Sequence, residues 1–220
     1  MRILIVAATE PEIGPLISSL QHVKDAVYSL DKHHIEVLIT GIGMTATAYQ
    51  LGRKLALNKY DIALNLGIAG SFNRNINLGD VVNIVSEQFY ELGVEDGDEF
   101  KDLFSIGLLD HNTMPFTNGM LKNNSACLSV LPSLLVMKGI TVSKVHGNAE
   151  SVATATQRSN ADIESMEGAA FMYVCLMEKV EFLQIRAVSN YVEKRNRAAW
   201  NIPLAIKNLN ETALQLISKL

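Results

Sequence analysis

Glu164-Ser165-Met166-Glu167-Gly168-Ala169-Ala170 opens a stretch that continues through an apolar segment to Met177 and closes on Phe182-Leu183-Gln184-Ile185-Arg186-Ala187-Val188-Ser189-Asn190. The small residues Gly168, Ala169 and Ala170 directly follow Met166 and Glu167. That order suits a strand that ends and turns tightly into a helix packed on a sheet. Residues 182–188 read as a buried strand, with Ser189 and Asn190 at its carboxyl end. Ligands of open α/β sheets bind beyond the carboxyl ends of the strands. The stretch therefore aims a carboxylate, Glu167, and an amide, Asn190, at one crevice.

The rest of the chain supplies the sheet and helices that such a crevice needs. Residues 2–8 are a continuous apolar run without alternation, the pattern of a strand buried on both faces of a mostly parallel sheet. Thr9 is placed to cap a following helix, and Pro11 fits its first turn, where a missing N–H costs little. Glu10 and Glu12 sit in that turn, where the helix dipole favours acids. Residues 26–30 and 35–40 read as strands about a polar turn, which leaves His33 and His34 solvated. Gly41-Ile42-Gly43 then leads into helical spacing over 44–58. This Gly-x-Gly permits close backbone approach, but the third glycine of a dinucleotide fingerprint is missing. Residues 61–66 form the next buried strand, which leaves through Gly67-Ile68-Ala69-Gly70-Ser71 into a loop. Gly79-Asp80 reads as the turn before another strand.

The middle of the chain is less regular. Residues 91–102 are acidic and glycine-punctuated, and 109–119 form a long loop of the kind often found at functional sites or interfaces. Pro132 interrupts 128–135. Residues 139–145 alternate like a strand, and His146-Gly147-Asn148-Ala149-Glu150-Ser151 leads into a short helix over 151–159. Residues 200–220 carry apolar positions at helical spacing, an amphipathic helix that covers the sheet.

Composition bounds the function. The chain has 220 residues, 48% hydrophobic and 19% charged, with a net charge of −4. These values suit one α/β domain over 1–220 with a full core. They leave no electrostatic footprint for nucleic acid or an anionic membrane. Residues 3–8 are too short to span a bilayer. Cys127 and Cys175 are isolated in apolar surroundings, which fits a reduced, cytoplasmic protein with no disulfide and no metal site.

The elements Met166-Glu167-Gly168-Ala169-Ala170 and Arg186-Ala187-Val188-Ser189-Asn190 resemble two signatures of the nucleoside phosphorylase/hydrolase family. Its nucleosidase members carry Met-Glu-(Gly/Ala)-Ala-Ala and Arg-Ala-(Ile/Val)-Ser-Asp. The resemblance extends to Gly41-Ile42-Gly43 and to the Gly67-Ile68-Ala69-Gly70 loop, and so covers most of the chain. It implies a three-layer sandwich with a central mixed, mostly parallel sheet flanked by helices. It also implies a purine nucleoside substrate, no cofactor and a homodimer. Glu12 would activate water, although a first-turn acid alone accounts for its position. Glu167 would hold the ribose hydroxyls, Met166 would touch the sugar, and Ala69 and Gly70 would line the ribose and water site. Ser189 and Asn190 would face the base. Glu150 and Ser151 fall where the family makes purine-edge contacts, although its usual aromatic is absent. Pro115 and Phe116 either close over the partner's substrate at its 5′ end or simply bury Phe116 on their own surface.

Asn190 stands where adenine nucleosidases have Asp. An amide offers one acceptor oxygen and two donor hydrogens. Its NH₂ complements O6 of a 6-oxopurine, and its oxygen complements a protonated N7. Against the 6-amino group of adenine the NH₂ meets another donor, a mismatch that discriminates strongly. The substitution therefore points to a hypoxanthine or guanine nucleoside; the alternative is that Asn190 only caps the strand end and any Asp lies elsewhere. Lys194, Arg195 and Arg197 follow, either as a solvated helix entry or as holders of an acidic group on the substrate. No arginine lies in the first loop, and only Arg53 and Arg74 are early candidates for phosphate, so water is the favoured nucleophile. An adenine nucleosidase, a 6-oxopurine nucleoside phosphorylase and a non-catalytic nucleoside-binding protein are the competing readings.

Overall fold

The computed structural model describes residues 1–125 and 134–220. Cys127 and Pro132 lie outside the described residues. The strands are β1 (Arg2–Ala7), β2 (Gln21–Lys24), β3 (Val27–Leu30), β4 (His33–Ile39), β5 (Ile62–Ser71) and β6 (Val81–Phe89). They continue as β7 (Gly93–Asp96), β8 (Glu99–Asp102), β9 (Leu121–Lys122), β10 (Leu135–Thr141), β11 (Ile163–Ser165) and β12 (Phe182–Tyr191). The helices are α1 (Glu10–Ser19), α2 (Met44–Leu57), α3 (Ala149–Ser159), α4 (Gly168–Glu178) and α5 (Ile202–Ile217).

The main sheet runs β11-β10-β6-β12-β5-β1-β4-β3-β2, with β9 on β6. Its centre is parallel: β1 pairs with β4 and β5, and β5 pairs with β12. The pairings β6–β12 and β3–β4 are antiparallel. Side chains of β1 alternate between two cores, as a strand covered on both faces requires. Ile3, Ile5 and Ala7 pack with Ile13 and Leu16 of α1 and Leu209 and Ala213 of α5. Leu4 and Val6 pack with Leu51 and Leu55 of α2 and Phe171 and Met172 of α4. Among the described residues, no helix is long and apolar enough to cross a membrane.

The mixed sheet between helices is as expected, but it does not lie fully open. β11 pairs in parallel with β10 and also antiparallel with β5, with Glu164 opposite Gly70. The strands β5, β12, β6, β10 and β11 thus close into a barrel-like ring beside the open part formed by β1 to β4. Length makes this possible. β5 and β12 are each ten residues long, and twisted strands of that length curl far enough to meet a short return strand.

Several local expectations are corrected. Residues 67–71 continue β5 and are not a loop. Their glycines mark close packing: a Cβ on Gly67 would lie 3.1 Å from Glu12 Oε1, and one on Gly70 would lie 2.9 Å from Val192 Cγ2. His33 is not solvated but 3% exposed within β4, its Nδ1 3.5 Å from the N-terminal amine. Residues 93–102 form the β7–β8 hairpin. β10 begins and ends about four residues earlier than its alternation suggests, because β6 pairs with it from Leu135 onward.

Candidate active site

The carboxyl ends of β1, β5, β11 and β12 surround a cleft of about 430 Å³. Glu12, Ala69, Gly70, Met166, Glu167, Ser189 and Asn190 all line it. Each carboxylate is held by backbone N–H groups. Glu12 Oε2 accepts from the Thr9 N–H at 2.9 Å and from Thr9 Oγ1 at 2.8 Å, which closes a capping box on α1. Glu12 Oε1 accepts from the Ile68 N–H at 3.2 Å. The cap therefore does not take Glu12 out of the cleft: it fixes one oxygen and leaves the carboxylate among the lining side chains.

Glu167 occupies the position just before α4, and its Oε1 accepts from the Gly43 N–H at 2.9 Å. Gly43 has φ +93°, a conformation that L side chains avoid. The Gly41-Ile42-Gly43 turn thus presents an N–H to a carboxylate across 124 residues of chain. Burial pushes the Glu167 pKa up, opposed by the positive charge of Arg186. Arg186 is 1% exposed; burial lowers its pKa, and the charges of Glu167, Glu87 and Glu12 oppose that only in part. Its Nη1 donates to the Ile185 carbonyl at 3.2 Å and the Asn65 carbonyl at 3.4 Å. This cation beneath both cleft carboxylates was visible in the Arg-Ala-Val-Ser-Asn element, but its sequence gave no sign of what it faces.

Ser189 and Asn190 sit where the β12–β5 register slips between Val188 and Asn190. Such a bulge re-aims side chains at a strand end. Asn190 Oδ1 accepts from Ser189 Oγ at 2.8 Å, and Asn190 Nδ2 donates to the Tyr191 carbonyl at 3.1 Å. One N–H and one oxygen lone pair of the amide stay uncommitted. The amide therefore offers the cleft one donor and one acceptor.

A family model described as the phosphorylase superfamily matches residues 2–219. The chain belongs to the phosphorylase superfamily. A futalosine hydrolase of Thermus thermophilus is 29% identical over 83% of this chain and 80% of its own length. A 5′-methylthioadenosine/S-adenosylhomocysteine nucleosidase of Haemophilus ducreyi is 26% identical over 84% and 80%. In fold, the chain is similar to the nucleosidase of that type from Colwellia psychrerythraea solved with adenine, with a TM-score of 0.84, 22% identity, and coverage of 100% of this chain and 96% of that one.

Not every residue expected from the superfamily pattern reaches the cleft. Glu150 is exposed and Ser151 half-buried at the start of α3, where Asn148 caps the helix. They line a broad neighbouring groove, not the cleft that holds Glu12 and Glu167. Pro115 is buried, and Phe116 packs edge-on against Phe104 and beside Tyr173 of α4. Neither lines the cleft of its own chain. Arg195 lines a small recess that shares Gly70, Glu164, Asn190 and Trp200 with the cleft. Arg197 stands 5.9 Å from the Trp200 ring centre, and Arg195 stands 5.4 Å from it. Lys194 is exposed and outside these cavities. Arg74 pairs with Glu193 and stacks on Tyr191 at 4.3 Å. Trp200 is a cleft wall that the sequence reading missed; its signal was a lone tryptophan beside three basic residues. Among the described residues, no group of three His, Cys, Asp or Glu side chains is placed to hold a metal.

Proposed function

We propose that the chain is a nucleosidase that hydrolyses the N-glycosidic bond of a 6-oxopurine nucleoside, with futalosine as the substrate and hypoxanthine as the base released. One observation carries this reading: Glu12, Glu167 and an amide, Asn190, converge on a single cleft. Breaking the bond builds positive charge on the ribosyl group, as in other glycoside hydrolyses. Glu167, desolvated and anchored by Gly43, holds the ribose hydroxyls and stabilises that charge. Glu12 orients and deprotonates the attacking water. Met166 packs on the sugar, and Ala69 and Gly70 form the floor beside it. Asn190 donates to O6 and accepts from a protonated N7, with Ser189 fixing its oxygen.

The name of the Thermus thermophilus relative supports the choice of futalosine. Futalosine is an inosine derivative whose 5′ extension ends in a carboxyphenyl ketone, so the reaction belongs to menaquinone biosynthesis. Trp200, flanked by Arg195 and Arg197, is the cationic wall available to an acidic substituent. Among the described residues no arginine side chain lines the cleft, which favours water over phosphate as nucleophile. We assign the working form as a cytoplasmic homodimer in which Pro115 and Phe116 approach the 5′ end of the partner's substrate.

A second reading, a methylthioadenosine/S-adenosylhomocysteine nucleosidase, draws on the Haemophilus ducreyi relative. Chromatography of products in phosphate-free buffer separates the two. Hypoxanthine from futalosine is the expected product. Adenine from methylthioadenosine, with futalosine untouched, would transfer the assignment to the second reading. Turnover only after phosphate is added would make the chain a phosphorylase.

A further inference from the structure

The proposed reaction leaves one proton unaccounted for. The departing purine carries an electron pair that must be neutralised, and Asn190, an amide, has no proton to give. The recess beside Asn190 is also lined by His146 and Glu164. His146 follows β10 and Glu164 is in β11. Their side chains are 7% and 3% exposed.

The pair is clamped at two points. His146 Nδ1 bonds to Glu164 Oε2, and the His146 backbone N–H donates to Glu164 Oε1 at 3.0 Å. The imidazole edge also meets the Tyr90 ring, 5.1 Å away and nearly perpendicular, and Phe72 lies on another side at 6.4 Å. Nδ1 is thus committed, and Nε2 has no hydrogen-bond partner among the described residues. Glu164 lines the main cleft as well as the recess, so the pair sits at the junction of the two. A buried carboxylate on Nδ1 fixes the ring and stabilises the imidazolium, leaving Nε2–H as a donor.

We propose that His146, oriented by Glu164, is the general acid that protonates the leaving purine. This rests on the nucleosidase reading above. As the C1′–N9 bond breaks, its electron pair passes into the base, and the Nε2 proton of His146 transfers to N7. Asn190 Oδ1 then accepts from the new N7–H. Water forms the bond to C1′, and its proton goes to Glu12. The cycle ends with neutral His146 and protonated Glu12, which re-equilibrate through solvent. Glu164 is a positioning residue in this scheme.

The test is the pH dependence of kcat/KM for base release from futalosine by wild type, His146→Gln and Glu164→Gln. Other charged groups near the imidazole are Glu91, which follows β6, Arg158 of α3 and Arg195. Tyr90 contacts the ring directly. The wild-type rate should fall on the basic side, because a general acid acts only in its protonated form. His146→Gln should lose roughly 10²- to 10⁴-fold, the usual contribution of a general acid, and its residual activity should lack that basic limb. Glu164→Gln should move the limb to lower pH, because the imidazolium loses its counter-charge. Hypoxanthine affinity should stay within a few-fold in both variants. A His146→Gln rate within threefold of wild type, or a loss that keeps the basic limb, overturns the proposal. So does a wild-type profile with no basic limb, which needs no variant to fold. A wild type that releases no purine from any nucleoside overturns the nucleosidase reading and this assignment with it.

Discussion

Replacing Glu12 with Gln keeps the side-chain length and one acceptor oxygen but removes the proton acceptor. The capping box tolerates Gln at this position, so the α1 terminus should survive. We expect turnover to fall roughly 10²-fold or more with hypoxanthine binding retained; wild-type-like rates would take Glu12 out of the mechanism. Asn190→Asp tests the base end of the cleft. It should cut the preference for futalosine over methylthioadenosine at least tenfold, and an unchanged ratio of kcat/KM would refute the role given to the amide. Arg186 governs stability as well. It is buried against Glu12, Glu87 and Glu167, and Arg186→Leu would leave those carboxylates without their cation. Breaking such a buried arrangement costs about 3–5 kcal/mol. Urea unfolding should show that loss, and a loss below about 1 kcal/mol would mean that the carboxylates take up protons in its place. The places of Glu167 and Asn190 beside the cleft were legible because their residue types fall at strand ends, and that of Glu12 came only with the family resemblance. The places of His146 and Trp200 were not legible, because they depend on which side chains the closed ring brings together.

At the level of elements, Glu87 shows what holds the closed part of the sheet together. It sits on β6 and is fully buried, accepting from Thr141 Oγ1 of β10 at 2.9 Å and from Gln184 Nε2 of β12 at 2.6 Å. Gly139 and Gly168 leave it room: a Cβ on either would come within 2.5 Å of Glu87 Oε1. Burial pushes the Glu87 pKa up to about 7, against the pull of Thr141, Gln184 and Arg186. A raised folded-state pKa means that the folded protein binds this proton more tightly than the unfolded chain does. The contribution is complete below the ordinary carboxylate pKa of about 4.3 and is lost as pH rises through about 7. Thermal unfolding should therefore show stability declining from pH 5 to 7. Glu87→Gln should flatten that slope, and an unaltered slope would place its origin in Glu164 or Glu167 instead. Much of this level could be read from the sequence. The decisive turn between β11 and α4, the buried β1 and β12, α2 and α5 all follow from apolar runs and capping residues. The extension of β5 through its glycines could not be read, because glycine reads as a turn until the groups that fill its missing side chain are known. Here those groups are Glu12, Arg186, Asn190 and Val192.

At the scale of the whole molecule, the cleft is open on one side. Ile42, which lines it, is 63% exposed, and Met114, in the loop that carries Pro115 and Phe116, is 57% exposed. A single chain thus leaves apolar surface uncovered both at the mouth of its site and on the loop assigned to the partner's site. Burying both surfaces together would shield the ribosyl cation from bulk water, which an open cleft does poorly. The family resemblance implies such an arrangement, whereas chain composition and periodicity do not bear on it, since the surfaces involved are distant in sequence. The proposed homodimer should sediment at twice the 24.1 kDa of the chain. Met114→Asp puts a charge on the exposed tip of the loop without touching the core that Phe116 shares with Tyr173. Its expected products are a folded 24.1 kDa monomer and a KM for futalosine raised at least tenfold, because the partner's loop no longer covers the 5′ end. A wild type that sediments as a monomer at assay concentration removes the homodimer. A dimer whose KM is unmoved when Met114→Asp splits it keeps the assembly but frees the loop from any part in substrate binding.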